Sequence, residues 1–238
     1  MFDEAGFKRL VRGESAGVLA GATRIALRGL SIPYALATAV RNLAFDRGWN
    51  RIERAPVPVI SIGNLTVGGS GKTPTVEYVT RWLRDRGLRV AILSRGYKAQ
   101  QGRNDESLLL EENLPGTPHL QGADRVASAR AAVERHDSQV LVLDDGFQHR
   151  RLHRDLDIVL IDTTDPFGAG RPLPAGLLRE WARPLRRAGL IVLTRCDAVA
   201  SSMRDDIIEA VRRLAPDTPR VESNFSPTCL MRAGVGRV

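Results

Sequence analysis

The run Gly63-Asn64-Leu65-Thr66-Val67-Gly68-Gly69-Ser70-Gly71-Lys72-Thr73-Pro74 constrains this chain more than any other feature. An apolar β-type run, Pro56–Ile62, precedes it. A helical pattern follows, with Val76, Val79 and Leu83 on one face and Gly87 as its stop. Gly68, Gly69 and Gly71 let the backbone curl tightly and turn successive N–H groups inward. The next helix adds the positive end of its dipole. Strand, glycine loop and helix together read as a phosphate cradle built from Thr66, Val67, Gly68, Gly69, Ser70, Gly71, Lys72 and Thr73. In it Lys72 reaches the β- and γ-phosphates and the Thr73 hydroxyl ligates Mg²⁺. Pro74 falls in the first helical turn, where a missing N–H is harmless. Thr66 stands where the general pattern has glycine, so the loop is a variant. The bland alternative is a glycine turn before a helix that happens to carry Lys-Thr.

A second station is Val140-Leu141-Val142-Leu143-Asp144-Asp145-Gly146-Phe147-Gln148-His149, an apolar strand ending in two carboxylates. Hard oxygen ligands at a strand's C-terminal edge, beside a phosphate loop, suit Mg²⁺. One of Asp144 and Asp145 is expected to hold the metal, directly or through water, and the other to orient the ligands or the nucleophile. Taken alone, Asp-Asp-Gly is also an ordinary turn. Gln148, His149, Arg150 and Arg151 follow and are candidates to line the site, as are Arg171 and Arg179 for phosphate contacts. Asp105 and Glu106 lie in a polar stretch and read as a solvated loop or as a carboxylate that accepts a hydroxyl proton. Thr194-Arg195-Cys196-Asp197 ends another strand, with the spacing of a guanine-reading element in which Arg replaces Lys; a turn with a capping Asp is the equal alternative.

Short apolar runs at Arg89–Ser94, Val140–Leu143, Ile158–Ile161 and Leu190–Leu193 alternate with helical patterns. Asp124 is placed to cap a helix through His136 that buries Val126, Ala129 and Val133, and a last helix is expected over Ser201–Leu214. The expected fold is α/β, a P-loop NTPase-like, doubly wound, mostly parallel sheet with N-terminal amphipathic helices. Residues 96–122 read as loop-rich. Residues 1–55 read as a helical segment, with Ser31 capping a helix, Pro33 in its first turn, and Leu36, Val40 and Leu43 on one face. Such a unit lies on a membrane or packs on the main domain. Residues 56–222 then form the P-loop domain and 223–238 a tail without periodicity.

Composition trims the options. The chain has 238 residues and a net charge of +8, which favours an acidic partner. Aromatics are only 5%, too few for a base-stacking nucleic-acid surface, so no nucleic-acid partner is expected. Its lysines are Lys8, Lys72 and Lys98, so Lys72 stands out in a chain whose usual cation is Arg. The two cysteines, Cys196 and Cys229, have no metal or disulfide spacing.

The linked motifs Gly63–Pro74, Leu93-Ser94-Arg95-Gly96-Tyr97, Asp105-Glu106, Asp144–His149 and Leu173-Pro174-Ala175-Gly176-Leu177-Leu178-Arg179-Glu180 together resemble the tetraacyldisaccharide 4′-kinases, the lipid A 4′-kinases of Gram-negative bacteria. Thr66 is typical of that family. The resemblance implies a kinase moving the ATP γ-phosphate, with Mg²⁺, to the 4′-hydroxyl of a tetraacyl glucosamine disaccharide 1-phosphate. It implies a place at the cytoplasmic face of the inner membrane, with the N-terminal helices on the anionic bilayer surface; a monomer is expected. Asp105 matches the family's proposed catalytic base and acts with Lys72 and Asp145, although this chain reads Asn104-Asp105-Glu106-Ser107 where the family has Gly-Asp-Glu-Pro. Family members continue into a second α/β lobe whose His pairs with that Asp. The last His here is His153, so the expectation is a nucleotide-binding chain with impaired transfer. Two rivals remain: a P-loop GTPase or nucleotide switch using Thr194–Asp197, and a non-catalytic nucleotide-binding remnant.

Overall fold

The computed structural model describes residues 4–96, 105–226, 231–232 and 236–237. Its centre is strand β1 (Val59–Asn64), paired in parallel with β4 (Val140–Asp144) on one side and β5 (Leu156–Asp162) on the other. Strands β2 (Val90–Ser94) and β3 (His119–Gln121) extend the β4 side; β6 (Leu190–Thr194) and β7 (Arg220–Ser223) extend the β5 side. The order is β3-β2-β4-β1-β5-β6-β7, and every pair in this sheet is parallel. A separate antiparallel pair joins β8 (Met231–Arg232) to β9 (Gly236–Arg237).

Successive strand residues face opposite sides. Ile92, Val142, Ile158 and Leu160 meet Val76 and Leu83 of helix α3 (Lys72–Arg84) and Leu110 of α4 (Asp105–Asn113). On the other face, Leu93, Leu141 and Leu143 meet Val126, Ala129 and Ala132 of α5 (Arg125–His136). Val159, Ile161, Ile191 and Leu193 meet Ile207 and Val211 of α6 (Ser201–Leu214). Both faces of the sheet are therefore apolar and covered, which explains why these runs are continuous rather than alternating. From β1 the chain runs outward to β2 and β3, returns to β4, then crosses to β5, β6 and β7. That reversal opens a crevice at the C-terminal ends of β1 and β4, where α/β sheets bind ligands.

Two expectations are corrected. The stretch 96–122 contains α4 and β3 rather than loop alone. Leu108-Leu109-Leu110 gives no helical period: Leu110 is buried while Leu108 and Leu109 are 45% and 47% exposed, and β3 is an edge strand of three residues. Ser31 does not cap a helix either. Helix α2 runs unbroken from Val18 to Asp46, through Pro33. The carbonyl that Pro33 cannot serve belongs to Gly29, an exposed residue that water can reach. The Ser31 hydroxyl instead donates to the Pro172 carbonyl at 2.9 Å, and packing of this face outweighs the local break.

Helix α2 is amphipathic in an inverted sense. Ser31, Ala35 and Asn42 are buried against the domain, with Tyr34 and Thr38 partly so. The outward stripe carries Ile25, Ile32, Leu36, Val40 and Leu43, all exposed. Small and polar residues face the protein; large apolar ones face away. No helix among the described residues is long and apolar enough to cross a membrane. Helix α1 (Glu4–Arg12) precedes it and ties to the domain through an Arg12–Asp165 ion pair at 2.6 Å.

Candidate functional site

The glycine loop leaves β1 at Asn64 and enters α3 at Lys72, as the strand–loop–helix reading requires. Its first half is stitched down. Arg179 N donates to Leu65 O and Val67 N to Leu177 O, both at 2.8 Å, and Thr66 forms an antiparallel bridge with Leu178. Thr66 is thus held in strand-like pairing and needs no glycine, which accounts for its departure from the general pattern. The left-handed backbone is confined to Gly68 (φ 124) and Gly71 (φ 84). The segment Leu173–Glu180, of which the sequence singled out only Arg179 for a role, serves as the loop's clamp.

The acidic pair lies on the adjacent strand. Asp144 is in register with Ile62, so residues far apart in the chain sit side by side near the loop. Gly63 makes this approach possible: a Cβ there would lie 2.7 Å from Phe147 Cβ and 2.8 Å from Phe147 N. Asp144 is buried, and Asp145 takes a left-handed turn at φ 55 that Asp tolerates. Lys72 Nζ donates to Asn64 Oδ1 at 3.3 Å and stands 3.9 Å from Asp145 Oδ1. Arg179 holds the other oxygen, Oδ2, at 2.6 Å. The Thr73 side chain follows in the first turn of α3.

Among the described residues, several buried polar atoms here find no hydrogen-bond partner: Asn64 Nδ2, Ser70 Oγ, Asp145 Oδ1, Gln148 Oε1 and Arg179 Nε. Groups left unpaired around one crevice mark a place where a polar ligand completes the set. The oxygen set also fits Mg²⁺, which takes one or two carboxylates and completes its shell with water and phosphate oxygens. Among the described residues no group of three or more His, Cys, Asp or Glu gathers, so a metal held wholly by protein is not built here.

A cavity of about 640 Å³ opens beside the acidic pair, walled by Tyr34, Thr38 and Arg41 of α2 and by Arg95, Arg125 and Arg179. Gln148 and His149 also line it. Burial and then the charges of Arg125, Arg154 and Arg41 push the His149 pKa down to about 4, so its imidazole is neutral at pH 7. Gln148 Nε2 donates to Asn64 O at 3.0 Å and to Glu180 Oε1 at 3.3 Å. Glu180, 3% exposed, also accepts from Asn42 of α2 at 2.5 Å and from Arg187 at 3.1 Å. Tyr34 OH donates to Arg179 O, and Arg41 to Gln148 O. Helix α2 is therefore a wall of the site.

Of the sequence candidates, the structure gathers Thr66 to Thr73, Asp144, Asp145, Gln148, His149 and Arg179. Arg150 turns away to Asn42 O and Asp46, Arg151 pairs with Glu53, and Arg171 is exposed outside the cavity. Asp105 and Glu106 open α4 rather than lying in a loop; their side chains, with Tyr97 and Asn104, fall outside the described residues. Thr194 donates to Ser70 O at 3.1 Å, Arg195 pairs with Asp162, and Asp197 N donates to Asn224. Asn64, which accepts from Lys72, and Lys8, beside Gly68, are further residues at the loop that the sequence did not mark. Lys8 Nζ lies 3.9 Å from where a Cβ on Gly68 would be, and only its rarity as a lysine drew notice.

A parallel sheet with its glycine loop after the central strand, a lysine at the loop's end and a carboxylate pair on the neighbouring strand defines a P-loop nucleotide-binding domain. The chain belongs to the tetraacyldisaccharide-1-P 4′-kinase (LpxK) family, whose model matches residues 23–234. It is 46% identical over 235 residues to the tetraacyldisaccharide 4′-kinase of Anaeromyxobacter sp. strain K, covering 90% of this chain and 60% of that protein. It is 44% identical over 211 residues to that of Geobacter sulfurreducens, covering 80% and 59%. The chain thus spans about 60% of the length of these curated relatives. A crystal structure of LpxK from Aquifex aeolicus in complex with ATP superposes with a TM-score of 0.71 at 36% identity, covering 84% of this chain and 64% of that one. The FtsY protein of Thermotoga maritima, 18% identical with a TM-score of 0.50, shares the fold alone.

Proposed function

We propose that this chain carries the nucleotide half of an ATP-dependent kinase that phosphorylates the 4′-hydroxyl of a tetraacyl glucosamine disaccharide 1-phosphate in lipid A biosynthesis. The observation that carries this reading is the contact chain Asn64–Lys72–Asp145–Arg179 across the ends of β1 and β4, beside a basic cavity. The loop amides and Lys72 hold the β- and γ-phosphates and spread the charge of transfer. Thr73, Asp144 and Asp145 hold Mg²⁺, which when bound neutralises phosphate charge. Arg179 releases Asp145 as ligands arrive and turns to a phosphate oxygen. Asp105, at the start of α4, takes the acceptor's proton. The disaccharide phosphate enters the cavity walled by Arg41, Arg95 and Arg125.

The outward apolar stripe of α2 rests in the membrane interface, with Arg28 available to anionic headgroups. We infer a peripheral enzyme, at the cytoplasmic face of the inner membrane and acting as a monomer. The division at residues 55 and 222 is then functional: a membrane-docking segment, a kinase domain and a tail. The test is transfer of labelled phosphate from ATP to the tetraacyldisaccharide 1-phosphate in detergent micelles, by this chain alone and joined to the C-terminal portion of a relative. Transfer by either form supports the reading. ATP binding by both without transfer by either overturns it and leaves a nucleotide-binding module.

A further inference from the structure

Three segments meet where a nucleotide would leave the phosphate cradle. The loop ends at Gly71. Strand β6 ends at Thr194, whose hydroxyl is bound to Ser70 O, and β7 ends at Ser223, in register with Thr194. One residue past these ends, Arg195 and Asn224 stand on neighbouring strands. Asn224 Oδ1 accepts from Asp197 N at 3.1 Å, locking the two turns together. Two residues past the end of β7, the Phe225 ring lies on the loop: a Cβ on Gly71 would come 2.7 Å from Phe225 Cε2 and 2.8 Å from Cζ. Only glycine at 71 lets the ring sit so close, and the ring is still 39% exposed.

Beside the ring opens one end of a cavity of about 760 Å³ that runs along α3 from Pro74 to Arg81 and over the sheet face from Val221 and Val192 to Leu190 and Ile158. Pro74, Thr75, Asn224 and Phe225 line it with Val192 and Val221. The apolar lining and the half-covered aromatic face suit a flat π-system better than a sugar or a phosphate.

We propose that Phe225 is the base-stacking residue of the nucleotide site, with the purine lying between the start of α3 and the ends of β6 and β7. This rests on the phosphate-cradle reading and adds what that reading lacks, a contact that distinguishes a nucleotide from bare triphosphate. Stacking on an aromatic ring is tolerant of base identity, so Phe225 supplies affinity for purines generally.

The experiment compares calorimetric binding of Mg-ATP and Mg-tripolyphosphate by the whole chain, its Phe225→Ala variant and its Phe225→Trp variant. The expected result is an ATP affinity lowered by about ten-fold in Phe225→Ala, an unchanged tripolyphosphate affinity, and ATP binding restored in Phe225→Trp. An unchanged ATP affinity, or equal losses for both ligands, overturns the assignment, the second by showing that the ring only shapes the loop. If the unaltered chain binds neither ligand, the cradle reading itself fails; if it binds both equally, the cradle stands and this inference alone falls.

Discussion

At the residue scale, the site is a set of charges held apart by geometry. Asp145 has two oxygens with different fates: Oδ2 is taken by Arg179 and Oδ1 faces Lys72 without a hydrogen bond. His149 shows what the surrounding arginines do to a neighbour. Its folded-state pKa of about 4 lies below the ordinary 6.5, so the folded protein resists protonating it. The unfolded chain takes up that proton first as pH falls through 6.5. Stability from this group is therefore complete above 6.5 and lost between about 6.5 and 4. His149→Gln is expected to flatten the acid limb of a melting-temperature profile over that window; an unchanged limb would show that His149 titrates normally. An NMR titration of the ring should give a midpoint near 4.

At the scale of elements, helix α2 presents two faces of opposite character. On the inner face, Asn42 donates to Glu180, which also receives Gln148 and Arg187. Asn42→Ala leaves that buried carboxylate one donor short and should destabilise the fold by about 1–3 kcal/mol in urea unfolding. On the outer face, Leu36 and Val40 are 63% and 54% exposed. Leu36→Asp with Val40→Asp should change folding stability little, since neither side chain is packed. The same pair should weaken sedimentation with anionic vesicles about ten-fold or more. Retained vesicle binding would remove α2 from the membrane contact.

Elements also show what the sequence could and could not reveal. Strands β1, β2, β4, β5 and β6 and helices α3, α5 and α6 were legible because each carries a local signal, such as an apolar run, an apolar helical face, the capping Asp124 or a glycine stop; the short edge strands β3 and β7 carry none. Asp124 does accept from Val126 N and Ala127 N. Helix α4 was hidden because its leucines are adjacent rather than periodic. The course of α2 through Pro33 was hidden because the compensating contact, Ser31 to Pro172, lies 141 residues away. The site divides along the same line. The glycine loop and the acidic pair are local patterns and could be read; Asn64, Lys8 and Phe225 reach the loop only through the fold.

For the whole molecule, the sheet order decides the chemistry, because β1 and β4 are neighbours and bring loop and carboxylates to one crevice. A ligand that binds only the folded crevice must stabilise all of it. Mg-ATP at a hundred times its dissociation constant should add about 2.7 kcal/mol, seen as a rise in melting temperature. Lys72→Ala should abolish most of that rise while leaving the ligand-free melting temperature close to the original. A full rise in the variant would remove Lys72 from the cradle.

The inverted polarity of α2 has a consequence for how an amphiphile is handled. The helix is about 10 Å across with its side chains, greasy on one flank and lining the basic cavity on the other through Tyr34, Thr38 and Arg41. Under the proposed function, a substrate with fatty tails and a phosphorylated sugar end would leave its tails dissolved on the far flank while its sugar reached around a single rod of peptide to the crevice. On that reading extraction from the lipid phase would be unnecessary, and turnover would follow the two-dimensional density of the amphiphile rather than its concentration in water.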